Sequence, residues 1–139
     1  MTTGMRFVPP TKIPFGSLSY PYDVIRNVKV FVQKGLGNMD VVKSKNGVPI
    51  RLTEERWLHI TEEHSEMAGY YFEVLETIEE PDEIFEGRAG EYISVREIEA
   101  GKYIVVIYRE VSKEDGFVIT AFITRRKKQL ERRRRLWKR

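Results

Sequence analysis

Residues 83–124 read EIFEGRAGEYISVREIEAGKYIVVIYREVSKEDGFVITAFIT, and their pattern is the clearest indication of the fold. The residue pattern has a period of two in four segments, EIFEG, EYISVREIE, KYIVVIYRE and FVITAFIT, which are dominated by β-branched and aromatic residues. The separating segments GRAGE, AGK and SKEDG each contain glycine, which favours turns. Four sequential strands with such short connections predict a four-stranded antiparallel meander.

Two amphipathic helices are predicted immediately before the meander. Thr53 can cap a helix, and acidic residues follow it in the first turn, where the helix dipole favours negative charge. Helical spacing on one face is shown by Trp57, Ile60, Thr61 and His64. The spacing predicts one helix from 53 to about 64 and a second from about 67 to 79, which ends before Pro81. Because both helices must cover one face of the sheet, the predicted fold class is α+β.

The chain divides into a Pro-rich arm with short strands (1–48), the α+β core (49–124) and a basic C-terminal tail or helix (125–139). Prolines at positions 9, 10, 14 and 21 predict an irregular backbone up to about residue 22. Short strands are predicted in NVKVFVQ (27–33) and DVVKSKNGVPIRL (40–52), the second of which contains an Asn46-Gly47 turn signal.

Length and composition exclude several classes of protein. A chain of 139 residues suits one domain, and no apolar run approaches the roughly 18 residues that span a membrane. The absence of cysteine excludes disulfides, cysteine-ligated zinc and a thiol nucleophile, and the first 16 residues lack the apolar segment of a secretory signal. We therefore predict a cytoplasmic protein that has no association with membranes.

The net charge of +3 conceals a strong asymmetry. Residues 125–139 hold ten Lys and Arg against one acidic residue, or +9, whereas the preceding residues carry −6. Such a basic block attracts phosphate backbones, because each neutralised phosphate releases counterions, although it can also be a solvated end. The tail is therefore expected to act as an electrostatic tether; as a helix it could rest Leu130 and Trp137 on the domain.

Alternation predicts which side chains of the sheet escape the core. The core rows are Phe117, Ile119, Ala121 and Ile123 in the last strand and Ile93 and Val95 in the second. The opposite, open face would carry Thr120, Phe122, Thr124, Tyr92, Ser94 and Arg96. Rings that stack on unpaired bases and donors for phosphate oxygens make this face suitable for RNA, and an ordinary solvated face is the alternative.

The only histidines of the chain, His59 and His64, lie on the first predicted helix. Histidine titrates near neutral pH, so both are candidates for acid–base catalysis. Five residues at about 100° each place the two side chains about 140° apart, so both cannot face one substrate on a straight helix. One histidine could instead be packed, solvated or a helix cap. The spacing HITEEH is not the HExxH spacing of a metal site, so no metal is predicted here.

Several motifs resemble one family. The run IRLTEERWLHITEEH, the helix closed by EEPDEI, and the strands YIVVIYRE and GFVITAFIT before a basic end resemble phage-associated members of the nuclease superfamily that groups barnase, EndoU, the tRNA-cleaving colicins and RelE. The resemblance covers residues 49–139, with Ser65 where the group commonly has proline. It implies helices on a four-stranded antiparallel sheet, cleavage of RNA without metal or cofactor, and often a toxin neutralised by a partner. By motif match, the catalytic site would comprise His59, His64, Arg96 and Thr120.

These residue types fit RNA cleavage through attack of the 2'-hydroxyl, which needs a base, an acid and donors for the charged phosphorane. The expected RNA-binding residues are Tyr92, Arg109, Thr124, Arg125, Arg126, Lys127 and Lys128. The prediction is therefore a toxin-like, metal-independent endoribonuclease that acts on RNA such as tRNA or mRNA and is held in check by an antitoxin or immunity protein. A non-catalytic nucleic-acid-binding protein is the main alternative, and a purely structural or assembly module is a further one.

Overall fold

The computed structural model describes residues 33–35 and 39–139. Within them, eight strands form one sheet: β1 (Gln33–Gly35), β2 (Met39–Lys43), β3 (Pro49–Thr53), β4 (Glu83–Glu86), β5 (Tyr92–Glu99), β6 (Lys102–Ser112), β7 (Asp115–Thr124) and β8 (Arg135–Lys138). The helices are α1 (Glu54–Glu63), α2 (Tyr71–Glu79) and the short α3 (Lys127–Leu130). No helix among the described residues is long and apolar enough to cross a membrane.

The sheet is larger than the predicted meander. Its strand order is β1-β2-β3-β7-β6-β5-β4-β8, and β3 pairs with β7 in parallel while the other pairs are antiparallel. The four strands of the meander are present, and the α+β class is confirmed. The prediction of a sheet with only four antiparallel strands is wrong, because β3 and β8 pair with the two outer strands of the meander and extend the sheet on both sides.

Helix α1 forms as predicted. The Thr53 side chain accepts a hydrogen bond of 3.0 Å from the backbone N–H of Arg56, which caps the first turn. The helix ends at Glu63, and the N–H of the next residue, His64, donates to the Ile60 carbonyl at 2.7 Å. Ile60 is buried, so the predicted inward face is the observed one.

Helix α2 begins four residues later than the predicted start near residue 67. A 3₁₀ turn, Ser65–Met67, precedes it, and Gly69 adopts a left-handed φ of 92° that interrupts helical geometry. From Tyr71 onward the helix buries Phe72, Val74, Leu75 and Ile78. The predicted end at residue 79 is confirmed.

The predicted β-turn at Asn46-Gly47 joins β2 to β3. The N–H of Gly47 donates to the Ser44 carbonyl at 2.8 Å, and Gly47 has a φ of 82°. The short strands expected in residues 40–52 are thus present. The Pro-rich arm (1–22), and NVKVFVQ (27–33) except for Gln33, lie outside the described residues.

Both faces of the sheet carry apolar clusters. On the helix face, which α1 and α2 cover, Ile104, Val106 and Tyr108 of β6 pack with residues of both helices. On the opposite face, here the tail face, the buried residues are Phe85, Ile93, Val95 and Val105, and Leu130 of α3 packs against them. Burial on both sides explains the continuous apolar run of β6.

The predicted inner and outer rows of β5 are exchanged. Ile93 and Val95 are buried, but on the tail face. The alternate residues therefore face the helices, where the Ser94 hydroxyl donates to the Thr77 carbonyl of α2 at 2.7 Å. The prediction that Tyr92, Ser94 and Arg96 line an open face is therefore wrong. The apolar row, Ile93 and Val95, is buried beneath the tail and not beneath the helices.

A β-bulge changes the alternation of β7. Thr120 pairs with Ile107 and Val118 pairs with Tyr108, so Ile119 has no partner on β6. Val118, and not Phe117, consequently lies in the helix-face core together with the correctly predicted Ala121. Phe117 instead shares the tail face with Thr120.

The tail is an integral part of the sheet. After α3, strand β8 pairs antiparallel with β4, with Trp137 opposite Ile84, and the N–H of Arg139 donates to the Asp82 carbonyl at 2.9 Å. The Lys45 ammonium lies 4.9 Å from the centre of the Trp137 ring. The prediction that Leu130 and Trp137 form one apolar stripe on a single tail helix is therefore wrong.

An ion pair joins the tail to the sheet at Glu83, whose side chain is only 5% exposed. Lys127 Nζ lies 2.9 Å from one carboxylate oxygen and Arg135 Nη1 lies 3.3 Å from the other. The close approach of the Glu83 carboxylate raises the pKa of Lys127 above the ordinary value, while burial opposes the shift. Glu83 thus anchors both tail elements.

We expect Lys127→Met to reduce the free energy of unfolding at pH 7 by about 1–3 kcal/mol, because a buried carboxylate loses a partner. Arg135 remains and keeps the loss moderate. Since folding raises the pKa of Lys127, the pair stabilises fully below the ordinary lysine pKa of about 10.4 and less as the pH rises through the folded value. The difference between variant and parent should therefore shrink in denaturant titrations above about pH 10.4.

The matched control is the double variant Lys127→Met/Glu83→Gln, which removes the buried charge together with its partner and should recover part of the loss. Equal stability of Lys127→Met and the parent at pH 7 would contradict the anchoring role.

Candidate nucleic-acid interface

The tail covers only part of the tail face, and half-buried side chains remain along β7. Thr120, Phe122 and Thr124 lie there opposite Ile107, Val105 and Tyr103 of β6. Their position on the open face agrees with the alternation of the sequence. We call this uncovered surface, which extends from Phe117 to Thr124, the open patch.

His64 lies at the border of the open patch. Because α1 directly follows β3, it packs against β7, and its last turn reaches Phe122. The His64 and Phe122 ring centres are 5.8 Å apart, and the rings are tilted by 39°. The His64 side chain is 35% exposed, and its Nδ1 lies 3.7 Å from a carboxylate oxygen of Glu66. The patch thus has an accessible imidazole beside a carboxylate.

The Thr120 hydroxyl is a second notable group. Its oxygen is buried and forms no hydrogen bond within the described residues. Buried hydroxyl groups are usually hydrogen-bonded, because an unpaired one costs about 1–3 kcal/mol. Thr120 lies two residues from Phe122 on the same face of β7. Next to Phe122 the structure therefore holds a hydroxyl whose hydrogen-bonding capacity is unused.

Arg51 stands at the β3 end of the open patch. It donates to both carboxylate oxygens of Asp115, through Nε and Nη2, at 3.0 Å each. Its guanidinium lies 5.6 Å from the centre of the Phe117 ring. Arg51 is not among the residues expected from the sequence, and Phe117 was expected in the core. Alternation in PIRLT, where Ile50 and Leu52 are buried, could have placed Arg51 on the open side.

Arg109, a predicted RNA-binding residue, lies opposite Phe117 on the same face. It donates to the Ala89 carbonyl at 3.1 Å, and its Nη2 is 3.8 Å from Glu91. The pKa of Glu91 lies below its ordinary value. The main cause is hydrogen bonding of its carboxylate to the backbone N–H groups of Glu91 and Ala89, and the charges of Arg109 and Arg133 add to it. Arg109 is thus partly neutralised.

Cations of the tail border the other end of the patch. The Thr124 hydroxyl accepts from the Arg126 N–H at 3.0 Å and so fixes the start of the tail. Lys127 is engaged by Glu83 and lies 5.5 Å from the centre of the Tyr103 ring. Besides Lys138 of β8, four exposed cations of the tail form no ion pair within the described part of the chain: Arg125, Arg126, Lys128 and Arg132. These four are available to phosphates.

Three predicted residues lie away from the patch. His59 is 55% exposed on the outer side of α1, with Nδ1 4.0 Å from Glu62. Arg96 faces α2, where it donates to the Glu80 carbonyl and lies 3.4 Å from a Glu76 carboxylate oxygen. Tyr92, also on the helix face, stacks on another ring at 5.4 Å. The structure therefore brings together His64 and Thr120 of the four expected catalytic residues.

Within residues 39–139, no three His, Asp or Glu side chains are grouped so that they could hold a metal ion. The groups present at or beside the open patch are an imidazole, a hydroxyl, aromatic rings and cations.

A family model described as phage-Barnase-EndoU-ColicinE5/D-RelE like nuclease2 matches residues 26–138. The chain belongs to this nuclease family. No curated protein and no solved structure shows significant similarity to it. The match confirms the resemblance and begins before residue 49, so the family's domain also includes β2. As a member of a nuclease family, this protein has nucleic acid as its substrate class.

Proposed function

We propose that this nuclease is a metal-independent endoribonuclease that cleaves RNA through attack of the 2'-hydroxyl on the adjacent phosphate. One arrangement supports the proposal most strongly: the His64 ring contacts Phe122 at the border of the open patch, and Thr120 lies two residues from Phe122 on the same face of β7. Imidazole transfers protons near neutral pH, and a hydroxyl can stabilise charge on a phosphorane. Neither role requires a metal ion.

In this proposal His64 acts as the base. Glu66 favours the proton on Nδ1 of the imidazole, which leaves Nε2 to accept the proton of the 2'-hydroxyl. The O2'–P bond forms, the P–O5' bond breaks, and the departing 5'-oxygen takes a proton from solvent. The products are a 2',3'-cyclic phosphate and a 5'-hydroxyl. His59 and Arg96, which motif matching assigned to this site, take no direct part.

The test is incubation of the purified protein with total RNA and with a defined oligonucleotide in EDTA, followed by mapping of the ends. We expect internal cuts with 2',3'-cyclic phosphate ends. Cleavage that depends on an added divalent cation would contradict the mechanism. Binding without cleavage would favour the alternative, a non-catalytic nucleic-acid-binding protein, because the cations and rings of the patch require no catalysis.

We also propose a toxin-like role in the cytoplasm, with tRNA or mRNA as target and an antitoxin or immunity protein that covers the open patch. The unpaired tail cations support this, since they would attract an acidic partner as well as RNA. Induced expression should arrest growth, and expression of the His64→Gln variant should not. Equal toxicity of the two would contradict a toxic role for cleavage.

We expect Thr120→Val to lower the single-turnover cleavage rate at saturating RNA by about 100-fold, the usual effect of losing one donor to a developing charge. Valine preserves the shape of the side chain and removes a buried oxygen that has no partner, so the melting temperature should not fall. RNA affinity should change little. A parental rate in the variant would exclude Thr120 as a donor.

A further inference from the structure

Three aromatic rings on the tail face each lie beside a nitrogen-bearing side chain. The Phe117 ring centre lies 5.6 Å from the Arg51 guanidinium. The Phe122 ring centre lies 5.8 Å from that of His64, and the Tyr103 ring centre lies 5.5 Å from Lys127 Nζ. Phe117 and Phe122 belong to β7, and Tyr103 lies opposite Thr124, the last residue of that strand. We call these three rings with their partners the aromatic track.

The track follows β7 from Phe117 to the last residue of the strand. A strand rises about 3.3 Å per residue, so the distance from Phe117 to the position of Tyr103 is roughly 20 Å. All three rings are half-buried, so each keeps part of its surface accessible. The proposed catalytic pair, His64 and Thr120, lies in the middle of the track. A linear ligand along β7 would therefore pass the catalytic groups with contacts on both sides.

The Arg51 end is built for stacking. Two hydrogen bonds to Asp115 fix the guanidinium plane, and the Phe117 ring supports it. A planar guanidinium held in this way can stack on a nucleic-acid base, which an ammonium group cannot do. At the other end, the unpaired tail cations begin directly after Thr124, where phosphates leaving the track would meet them.

We propose that the aromatic track binds unpaired RNA, with bases stacked at its three positions and the backbone leaving across the tail cations. In a duplex the bases are stacked inside the helix and cannot reach the rings, so the substrate class is single-stranded RNA. The inference depends on the proposed function only for the identity of the ligand as RNA.

Binding of a fluorescently labelled oligodeoxythymidylate of twelve nucleotides to the full chain, measured by fluorescence anisotropy, tests the track. This probe has no 2'-hydroxyl, so it measures binding independently of the proposed cleavage. We expect Phe117→Leu and Tyr103→Leu each to weaken binding by about 10-fold, since leucine keeps the apolar burial but loses base stacking. A blunt duplex of equal length should bind at least about 10-fold more weakly than the single strand.

Tyr70→Leu is the matched control, because Tyr70 also has a cation beside its ring, Lys102 at 5.9 Å, but packs against the helix-face core. Its affinity for the probe should equal that of the parent. A second measurement, the thermal melt of each variant, shows that the domain is intact.

Parental affinity of both track variants, or equal binding of the duplex, would overturn the track. These outcomes differ from failure of the proposed function. If no RNA is cleaved in EDTA but Phe117→Leu and Tyr103→Leu still weaken probe binding, the track stands and the ribonuclease proposal fails. If RNA is cleaved and neither variant weakens probe binding, the ribonuclease proposal stands and the track fails.

Discussion

Replacing His64 with Gln is expected to lower the rate of RNA cleavage by about 1,000-fold, within the range of about 10²–10⁴ for loss of a general acid or base. Glutamine keeps a polar side chain of similar size beside Phe122, so the domain should melt at nearly the same temperature. The change removes only the capacity to transfer a proton at neutral pH. Single-turnover cleavage of a defined RNA, with excess enzyme, measures it without interference from product release.

His59→Gln provides the matched control for this experiment. The substitution is the same and the helix is the same, but the His59 side chain lies on the outer side of α1, away from the open patch. We expect its rate to stay within a few-fold of the parent. A parental rate in His64→Gln would remove His64 from the mechanism. A large loss in His59→Gln would show that RNA also crosses the outer side of α1 and that the motif match was the better guide.

The parts of the fold that the sequence predicts are those governed by local chemistry. Thr53 caps α1 because its hydroxyl reaches a nearby N–H, and Gly47 turns the β2–β3 hairpin because it tolerates a positive φ. Both interactions join residues within a few positions of each other. Helical spacing places His64 on the inner side of α1, and strand alternation places Thr120 on the open side of β7. Both patterns depend only on residues close in sequence.

Long-range pairing is what the sequence does not reveal. The parallel pairing of β3 with β7 joins Arg51 to Phe117, and the antiparallel pairing of β8 with β4 joins Trp137 to Ile84. No local alternation encodes such partners. The bulge at Ile119 also shifts the alternation within β7, so that Phe117 moves to the tail face.

Burial on both faces accounts for the misplacement of Arg96. In a sheet with one solvated face, the apolar row of β5 would mark the helix side, and Arg96 would be open. Here the tail buries Ile93 and Val95, so the polar row faces the helices. Arg96 then serves the C-terminal end of α2, where a cation and its hydrogen bond to the Glu80 carbonyl are favourable.

Deletion of residues 125–139 is expected to abolish the cooperative thermal melt of the domain, rather than simply to weaken RNA binding. The deletion removes β8 and both cations that neutralise Glu83, and an uncompensated buried charge alone costs about 3–5 kcal/mol. It also exposes the tail-face core beneath Leu130. The combined loss is comparable with the whole stability of about 5–15 kcal/mol of a typical domain. Calorimetry and near-ultraviolet circular dichroism measure it directly.

The electrostatic part of the tail can be tested without unfolding the domain. In a variant with glutamine at four exposed positions, 125, 126, 128 and 132, the anchors at Glu83 remain, so the melting temperature should be close to that of the parent. RNA binding should weaken for every sequence, and the slope of log affinity against log salt should flatten by about 0.7 for each lost phosphate contact. An unchanged slope would show that these cations do not touch the backbone. A truncated chain that melts like the parent would show that β8 is dispensable, and the tail would then be a tether attached to a self-sufficient sheet.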